Sequence, residues 1–346
     1  MRRAMVVCKF VVGFLGAAVV VLSATAQMPR RDQGELDAQA WLRKIHSAAQ
    51  SLNYSGTFVF QQSNQIRTSR ITHLFDGKTE REKFEILDGK PREYIRNNEE
   101  IVSYIPEIKM LLVEKRVTQD VFPAIVPASA ASLSFHYLVR KGETGRVAGF
   151  DSQALLLEPK DNLRYGYKLW AEQSTGLLLR AQTLNERNEV VEQIAFTQLA
   201  IGEIDPAKVQ PSYADTKSWR VEHAAASTVA TTGWNVKAVP PGFKKIREMK
   251  RMLFDAPPSM PAVDSAGSAN ARPAPREVTQ IVYSDGLAAI SVFIEPASRG
   301  RVEGVSRQGA LNVMGKRQGD FWLTIVGEVP ATAIKQVAGS IEFISK

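Results

Sequence analysis

Apolar residues recur every three or four positions between Glu35 and Leu52. This spacing puts them on one face of a helix, so the pattern predicts an amphipathic helix over residues 35–52. Arg43, Lys44 and Gln50 fall on the opposite, polar face. The apolar face, which should pack against another element, consists of Ala38, Trp41, Leu42, Ile45, Ala48, Ala49 and Leu52.

From Tyr54 onward the period changes to two, which is the period of a β-strand. Two Asp-Gly-Lys triplets follow, starting at Asp76 and Asp88, and Asp-Gly favours the tight turns that join antiparallel strands. These features predict a long antiparallel meander. Its predicted strands include "YSGTFVFQ", "EIVSYIP", "KMLLVEKR", "SQALLLEPK", "RYGYKLWAE", "LLLRAQTLN" and "VVEQIAFTQLAIG".

Residues 120–138 interrupt the strand pattern. Pro123, Pro127 and the run "ASAAS" predict an irregular or short helical piece that crosses the sheet. A sheet of this many strands curls, and a curled sheet covered by a helix has a concave inner face. We therefore expect a first domain over residues 35–204 with such a face.

The second half of the chain predicts a smaller domain. Residues 205–217 are polar and contain two prolines, so they are predicted to be a linker before a domain over residues 218–346. Residues 256–276 contain five prolines and no aromatic residue, which predicts a mobile loop. The predicted fold class is α+β, with a large curled antiparallel sheet and a smaller sheet that carries a helix.

The N-terminus has the features of a secretory signal peptide over residues 1–26. Arg2 and Arg3 form a basic head, residues 11–22 are apolar, and Ala-Thr-Ala at 24–26 is a cleavage site. An uncleaved membrane anchor is the alternative, but a membrane span needs about 20 apolar residues. The mature chain is therefore predicted to be exported.

Loss of this segment changes the composition of the chain. Its single cysteine, Cys8, is removed, which excludes disulfides, thiolate metal sites and a cysteine nucleophile from the mature protein. The formal net charge falls from +8 to +5, because the segment holds three basic residues and no acidic ones. This modest charge suits an anionic partner and does not predict nucleic-acid binding.

Motifs for catalysis or metal binding are absent. The histidines are far apart in sequence, and no nucleophile elbow or dinucleotide fingerprint occurs. The run "GALNVMGKR" at 309–317 resembles a phosphate loop but has five residues between its glycines, and Arg317 replaces the hydroxyl residue. No catalytic residue, metal or cofactor is predicted, although a hydrolase with acids assembled across the sheet stays open.

Aromatic residues are more numerous on the predicted strands than one helix could cover. This surplus predicts an apolar groove for acyl chains or another apolar ligand. The alternative is that each ring fills the core beneath the helix. The predicted lining residues are Tyr54, Phe58, Phe60, Tyr104, Tyr165, Tyr167 and Phe196.

A basic run, "GFKKIREMKRM", lies beside the predicted loop. It is either a solvated basic helix or an edge that binds an anion or a partner protein. The residues predicted for binding are Phe243, Lys244, Lys245, Arg247, Lys250 and Arg251.

The chain resembles the MucB/RseB family of periplasmic sigma-E regulators. The resemblance rests on the signal peptide, "LNYSGTFVF", "VSYIPE", "YSDGLAAISVFIEP" at Tyr283–Pro296 and "VGEVPATA" at Val326–Ala333. It extends from about Ala40 to the end of the chain. It implies that the first domain is a half-barrel like the lipoprotein carriers LolA and LolB, with helices over its concave side.

The resemblance also implies a function. Family members bind the periplasmic part of an anti-sigma factor of RseA/MucA type and shield it from regulated cleavage. Lipopolysaccharide or mislocalised lipoprotein acyl chains are expected to release it. A periplasmic lipoprotein or lipid carrier is the alternative, and homo-oligomerisation is left open.

Overall fold

The computed structural model describes residues 30–115, 121–223, 233–253, 276–298 and 300–344. The predicted signal peptide and nearly all of the predicted loop 256–276 lie outside these residues. None of the helices in the described part is long and apolar enough to cross a membrane.

The predicted N-terminal helix is present as α1 (Arg30–Ser51). It begins earlier than predicted, but the predicted face is the one that is buried. Ala38, Leu42 and Ile45 are fully buried in the main core cluster, and Trp41 packs against it. The helical period therefore identified both the element and the side that it buries.

Within the described ranges the larger sheet contains twelve strands. In chain order they are β1 (Tyr54–Gln62), β2 (Gln65–Phe75), β3 (Glu80–Ile86), β4 (Arg92–Asn97), β5 (Glu100–Ile105), β6 (Met110–Lys115), β7 (Tyr137–Val147), β8 (Phe150–Pro159), β9 (Gly166–Glu172), β10 (Leu178–Leu184), β11 (Val190–Ile201) and β12 (Arg220–His223). The spatial order is β12-β6-β5-β4-β3-β2-β1-β11-β10-β9-β8-β7. β7 contacts β11 across three intervening strands, so this end of the sheet curls back on itself.

Both Asp-Gly-Lys triplets form the predicted turns. Asp76 Oδ1 accepts hydrogen bonds from the backbone N–H groups of Lys78 and Thr79, and Gly77 has a φ of +89°. This turn joins β2 to β3, and the triplet at Asp88 joins β3 to β4. The carboxylate satisfies two backbone donors while glycine adopts the left-handed conformation, which explains why this triplet ends a strand.

The structure corrects the prediction for residues 120–138. The short helix expected there is α2 (Ala130–Leu133), but β7, which follows at once, was not predicted. Charged residues and two glycines obscure its alternation. The glycines have a packing role, because a Cβ on Gly145 would lie 2.7 Å from the Trp170 ring, and one on Gly142 would lie 2.9 Å from Leu156.

The second domain contains a smaller sheet and its own core. The strands of this sheet are β14 (Lys244–Leu253), β15 (Arg276–Ser284), β16 (Ala289–Pro296), β17 (Gly304–Gln308), β18 (Leu311–Gln318) and β19 (Phe321–Gly327). In the described residues they have the order β14-β15-β16-β19-β18-β17. α3 (Ala331–Gly339) packs on β18 and β19, and β13 (Trp234–Val236) pairs with β20 (Ile341–Phe343) in a third, two-stranded sheet. The α+β class is confirmed, with a large sheet and a smaller sheet that carries a helix.

The predicted linker packs along the outer face of the large sheet, away from α1. Its 3-10 turn, Pro206–Val209, contacts β2 and β3, and Val209 is buried. Lys83 Nζ donates to Ser212 Oγ at 2.6 Å and lies 3.1 Å from the Glu93 carboxylate, which in turn accepts from the Ser212 N–H. These buried polar contacts attach the linker to the first domain.

The structure also corrects the predicted start of the second domain at residue 218. β12 pairs in parallel with β6, so residues 220–223 extend the first sheet. The sequence gives little sign of this strand, because it has only four residues and is mostly exposed. An open sheet edge provides the unpaired backbone groups that such a short strand can use.

We predict that Leu42→Ala lowers the free energy of unfolding by about 2–5 kcal/mol, because Leu42 is fully buried on the core-facing side of α1 and truncation of its side chain leaves a cavity. Leu36→Ala is the matched control, since Leu36 lies in the same helix but is 52% exposed. We expect the control to cost less than about 0.5 kcal/mol. Urea unfolding followed by circular dichroism measures both, and equal losses would contradict the assignment of the buried face.

Candidate functional site

A cluster of phenylalanine rings occupies the inner face of the large sheet. Phe58 lies 5.9 Å from Phe196 on the neighbouring strand and 5.3 Å from Phe122, measured between ring centroids. Phe84 is 5.9 Å from Phe58 on the other side. The first three rings are buried, whereas Phe84 is half-buried. The cluster is therefore closed at its centre and accessible at Phe84.

The seven predicted lining residues do not all share this face. Tyr54, Phe58, Tyr167 and Phe196 belong to the core cluster under α1, and Phe60, two residues along β1, is half-buried. Most of the predicted lining is thus filled by the protein's own packing. Acyl-chain binding at these residues remains a prediction.

Tyr104 and Tyr165 lie elsewhere, which corrects the prediction. Tyr104 is opposite Glu93 in the register of β4 and β5, on the outer face. Its ring stacks on Tyr213 of the predicted linker at 5.9 Å, and Trp219 completes this second aromatic cluster. Tyr165 is at the contact between the domains, where its hydroxyl accepts a hydrogen bond from Asn312.

Beside the phenylalanine cluster, a buried polar network joins α1 to the sheet. His73 is fully buried, stacks on Tyr54 at 4.9 Å and contacts Glu80 at 3.0 Å. Arg96 donates to both Glu80 and Glu82. Burial by itself raises the pKa of Glu80, but the hydrogen bonds from His73 and Arg96 outweigh it and lower the pKa to about 2. Glu80 therefore stays charged, which keeps Arg96 paired inside the fold.

The basic run forms β14, an edge strand of the second sheet, so the helical alternative is wrong. Lys244 and Lys245 are exposed, and Lys245 pairs with Glu248 at 2.7 Å. Arg247 is half-buried and Lys250 is exposed, whereas the side chain of Arg251 lies outside the described part.

Phe243, predicted as part of the same surface, is buried in the second core. Phe243 directly precedes β14, and its ring lies 5.5 Å from the Arg164 guanidinium, so it belongs to the contact between the domains and not to the exposed strand.

The two domains meet at residues that the sequence analysis did not single out. Arg164, just before β9, forms an ion pair with Asp285, in the turn between β15 and β16, and both side chains are fully buried. Asp285 lies within "YSDGLAAISVFIEP", but its Asp-Gly indicates only a turn. The two residues are 121 positions apart, so no local pattern links them.

A crevice of about 650 Å³ also lies between the domains, lined by Glu192 and Val190 of β11 and by Arg307 of β17. Burial raises the pKa of Glu192 to about 8, and the nearby charge of Glu328 adds to this, while the hydrogen bond from Gln62 acts in the opposite direction. Gln62 Oε1 is buried and has no hydrogen-bond partner among the described residues. A protonated Glu192 can donate hydrogen bonds, whereas the carboxylate cannot, so this environment favours the neutral acid.

A second cavity of about 580 Å³ lies on the outer face, beside the linker. Ser55, Thr57, Arg70 and Thr72 of the large sheet and Lys208 of the 3-10 turn contribute to its wall. Most of its lining residues are hydroxyl, amide or charged residues, with Leu199 and Ala200 beside them, and the cavity was not predicted from the sequence.

In the described residues, no group of three or more His, Cys, Asp or Glu side chains could hold a metal ion. The histidines have other neighbours instead. His46 contacts the Val126 carbonyl, and His73 belongs to the network under α1. His136 lies at the domain contact beside Gly242, and His223 is exposed on β12.

The structure is that of a two-domain α+β protein. Its distinctive features are the phenylalanine cluster on the large sheet, the basic strand β14 and the buried contact between the domains. The family profile of the MucB/RseB N-terminal domain matches residues 37–214, and that of the MucB/RseB C-terminal domain matches residues 228–342. The chain belongs to the MucB/RseB family, as the resemblance in its sequence indicated.

Curated relatives match along nearly the whole chain. MucB of Pseudomonas aeruginosa, named as a regulatory protein of sigma factor AlgU, is 31% identical over 312 residues, which are 88% of this chain and 90% of MucB. RseB of Escherichia coli K12, named as a sigma-E factor regulatory protein, is 23% identical over 305 residues, with coverage of 88% and 90%.

Solved structures agree with this relationship. The crystal structure of MucB in complex with MucA(peri) has a TM-score of 0.66 at 28% identity and covers 90% of this chain and 100% of the matched chain. The MucA/MucB complex of Pseudomonas aeruginosa has a TM-score of 0.67 at 27% identity, with the same coverage. A LolA superfamily protein from Nitrosomonas europaea reaches a TM-score of only 0.25, so the half-barrel comparison with LolA stays a prediction.

We predict that the thermal stability of the protein falls as the pH rises from about 5.5 to 8.5. The folded-state pKa of Glu192, about 8, exceeds its unfolded value of 4.5, so the folded state loses its advantage as the pH rises through this range. Glu192→Gln removes this titration and should raise the melting temperature at pH 8.5 by about 2–4 °C. Differential scanning fluorimetry across this range measures the difference.

Glu189→Gln is the control, because Glu189 lies in the same hairpin but is exposed. It should leave the slope of melting temperature against pH unchanged. If Glu192→Gln also left the slope unchanged, the crevice would not hold a proton on this residue.

Proposed function

We propose that this protein is a periplasmic negative regulator of an envelope-stress sigma factor of the sigma-E type. In this role it binds the periplasmic region of a membrane anti-sigma factor and shields that region from regulated proteolysis. One observation carries the proposal: both MucB/RseB profiles match this chain, and the MucB structure that aligns with 90% of it contains MucA(peri).

The second sheet offers chemistry that suits a polypeptide partner. Within the described residues β14 pairs only with β15, and an edge strand can accept an extended segment through main-chain hydrogen bonds. Lys244 and Lys245 are exposed on this strand, and Lys250 is exposed further along it. These charges favour an acidic segment and speed its encounter with the strand.

The inner face of the large sheet supports a role in lipid sensing. The phenylalanine cluster is sealed at Phe58 but half-open at Phe84, so an acyl chain would enter from the Phe84 side. Such a ligand releases the partner only if it binds the partner-free arrangement more tightly than the partner-bound one. The signal is lipopolysaccharide or a mislocalised lipoprotein, which both carry acyl chains.

A titration of residues 27–346 with the periplasmic segment of the organism's single-pass anti-sigma factor tests the proposal. We expect saturable binding in the micromolar range or tighter, slower cleavage of the bound segment, and weaker binding when lipopolysaccharide is added. A segment of the same composition in shuffled order is the control. Lipid transfer between vesicles without any binding of the segment would favour the lipid-carrier alternative.

We predict that the triple variant Lys244→Glu, Lys245→Glu, Arg247→Glu binds the anti-sigma segment about tenfold more weakly, because reversed charges repel an acidic partner. Wild-type affinity should fall between about 50 and 300 mM salt as screening increases, and the triple variant should show a shallower slope.

The matched control is Lys90→Glu, Arg187→Glu, Lys217→Glu, three exposed positions away from β14 that change the net charge equally. Isothermal titration at several salt concentrations compares the two variants. Equal affinities and salt slopes would show that β14 does not contact the partner.

A further inference from the structure

One buried arginine, Arg164, makes two hydrogen bonds across the contact between the domains and a third within its own loop. Arg164 Nη1 donates to Asp285 Oδ2 at 2.6 Å, and its Nε donates to Asp161 Oδ1 at 3.0 Å. Its Nη2 donates to the Pro241 carbonyl at 2.5 Å. The side chain is fully buried, so its charge depends on these partners rather than on water.

On the other side of the interface, both carboxylate oxygens of Asp285 accept hydrogen bonds. Its Oδ1 accepts hydrogen bonds from the N–H groups of Leu287 and Ala288, which fixes the turn between β15 and β16. Its Oδ2 accepts from Arg164 and from the Tyr137 hydroxyl at 3.2 Å. The carboxylate thus connects the rigid turn of the second domain with two residues of the first.

Aromatic rings enclose the ion pair. The Arg164 guanidinium lies 5.6 Å from the Tyr137 ring and 5.5 Å from the Phe243 ring, distances at which a cation is attracted to an aromatic face. Each domain contributes one of the rings. A shift between the domains would separate buried charges without supplying water, so this contact favours one relative orientation.

Arg164 also contacts the residues that precede β14, the strand proposed to bind the partner. Pro241 and Phe243 directly precede β14, so Arg164 contacts the chain where the basic strand begins. The same loop of the first domain makes two more contacts with the second: Asn162 accepts from Thr332, and Tyr165 accepts from Asn312. The loop of residues 160–165 therefore contributes four hydrogen bonds to the contact with the second domain.

We propose that Arg164 and Asp285 are positioning residues for partner binding: their buried ion pair holds β14 and the first domain in the relative orientation that the anti-sigma segment recognises. The inference rests on the proposed function, since it concerns how the same partner is bound. It adds that the partner contacts both domains, so affinity depends on an interface that the partner itself does not touch.

The test weakens the ion pair and then restores the orientation by a covalent link. Asp285→Asn keeps the side-chain volume and the acceptor for the turn but removes the negative charge that the second domain supplies to Arg164, while Asp161 of the first domain stays paired with it. Asp151→Asn is the control, an identical change at an exposed position. Circular dichroism and thermal melting confirm that each variant folds.

The link is a disulfide between Gln62→Cys and Gly309→Cys, on opposite sides of the interface. A Cβ built on Gly309 would overlap Cγ of Gln62, so the two Cβ atoms lie within the ~4.5 Å that a disulfide requires. The mature chain has no other cysteine, because Cys8 precedes the predicted cleavage site. A second pair, Gln65→Cys and Gln308→Cys with a short bismaleimide, leaves Gln62 and Gly309 unchanged; the two glutamine side chains are hydrogen-bonded at 3.1 Å.

We expect Asp285→Asn to slow formation of the interdomain disulfide about fivefold or more and to weaken binding of the anti-sigma segment about tenfold. Forming the disulfide in the Asp285→Asn background should restore affinity to within about threefold of the wild type. Three results would each overturn the inference. They are an affinity unchanged by Asp285→Asn, a disulfide rate unchanged by it, and a loss of affinity that the disulfide does not restore.

Failure of the proposed function gives a different result, because the wild-type protein itself then does not bind the segment. The inference about partner binding falls with it, while the disulfide rate still reports whether the ion pair sets the orientation. If Asp285→Asn does not fold, Tyr137→Phe serves in its place, since it removes only the hydroxyl that donates to Asp285. It should lower the disulfide rate and the affinity in the same direction by smaller factors, and unchanged values for both would overturn the inference.

Discussion

The need to cover both faces of one large sheet determines much of this structure. The inner face carries the aromatic side chains, and α1 together with the segment around Phe122 buries them. The outer face carries hydroxyl and charged side chains, and the segment after residue 205 covers part of it. Because that segment is committed to the sheet through Val209 and Ser212, it is not a free tether between the domains.

Buried ion pairs fix the relative positions of elements that hydrophobic packing alone would not fix. Lys83 attaches the linker to the sheet, Arg96 joins β4 to the neighbouring β3, and Arg164 joins the domains. Each is paired, since an isolated buried charge is costly, and the geometry of hydrogen bonds fixes direction in a way that apolar contact does not. The carboxyl groups of Glu192 and Glu328 act differently, because both have raised pKa values and are most compatible with the folded state when neutral. The region between the domains therefore contains a charged pair, Arg164 with Asp285, and a carboxyl group, Glu192, whose neutral form is favoured.

This arrangement suits a regulator that belongs to the MucB/RseB family. A binding protein that must later release its partner needs an orientation that is well defined and yet can change. The Arg164 ion pair favours one relative orientation of the domains, while the crevice at Glu192 leaves about 650 Å³ unfilled between them. On the inner face Phe58 is buried in the core of the first domain, whereas Phe84 is half-buried. The proposed lipid-sensing role would therefore use the Phe84 side of the cluster and leave the packing at Phe58 in place.

The amino-acid order was sufficient to predict the elements whose signals are local. The period of 3.6 identified α1 and its buried face, and Asp-Gly-Lys identified two hairpin turns, because these features depend on residues close together in the chain. The other features depend on contacts between residues that are distant in the chain, so they follow from the folded structure. The register of β4 and β5 places Tyr104 on the outer face. β12 pairs with the edge strand β6, and the glycines of β7 allow close packing against Trp170 and Leu156. The pairing of Arg164 with Asp285 arises from the docking of two domains, and no periodicity within either segment encodes which distant residue will neutralise a buried charge.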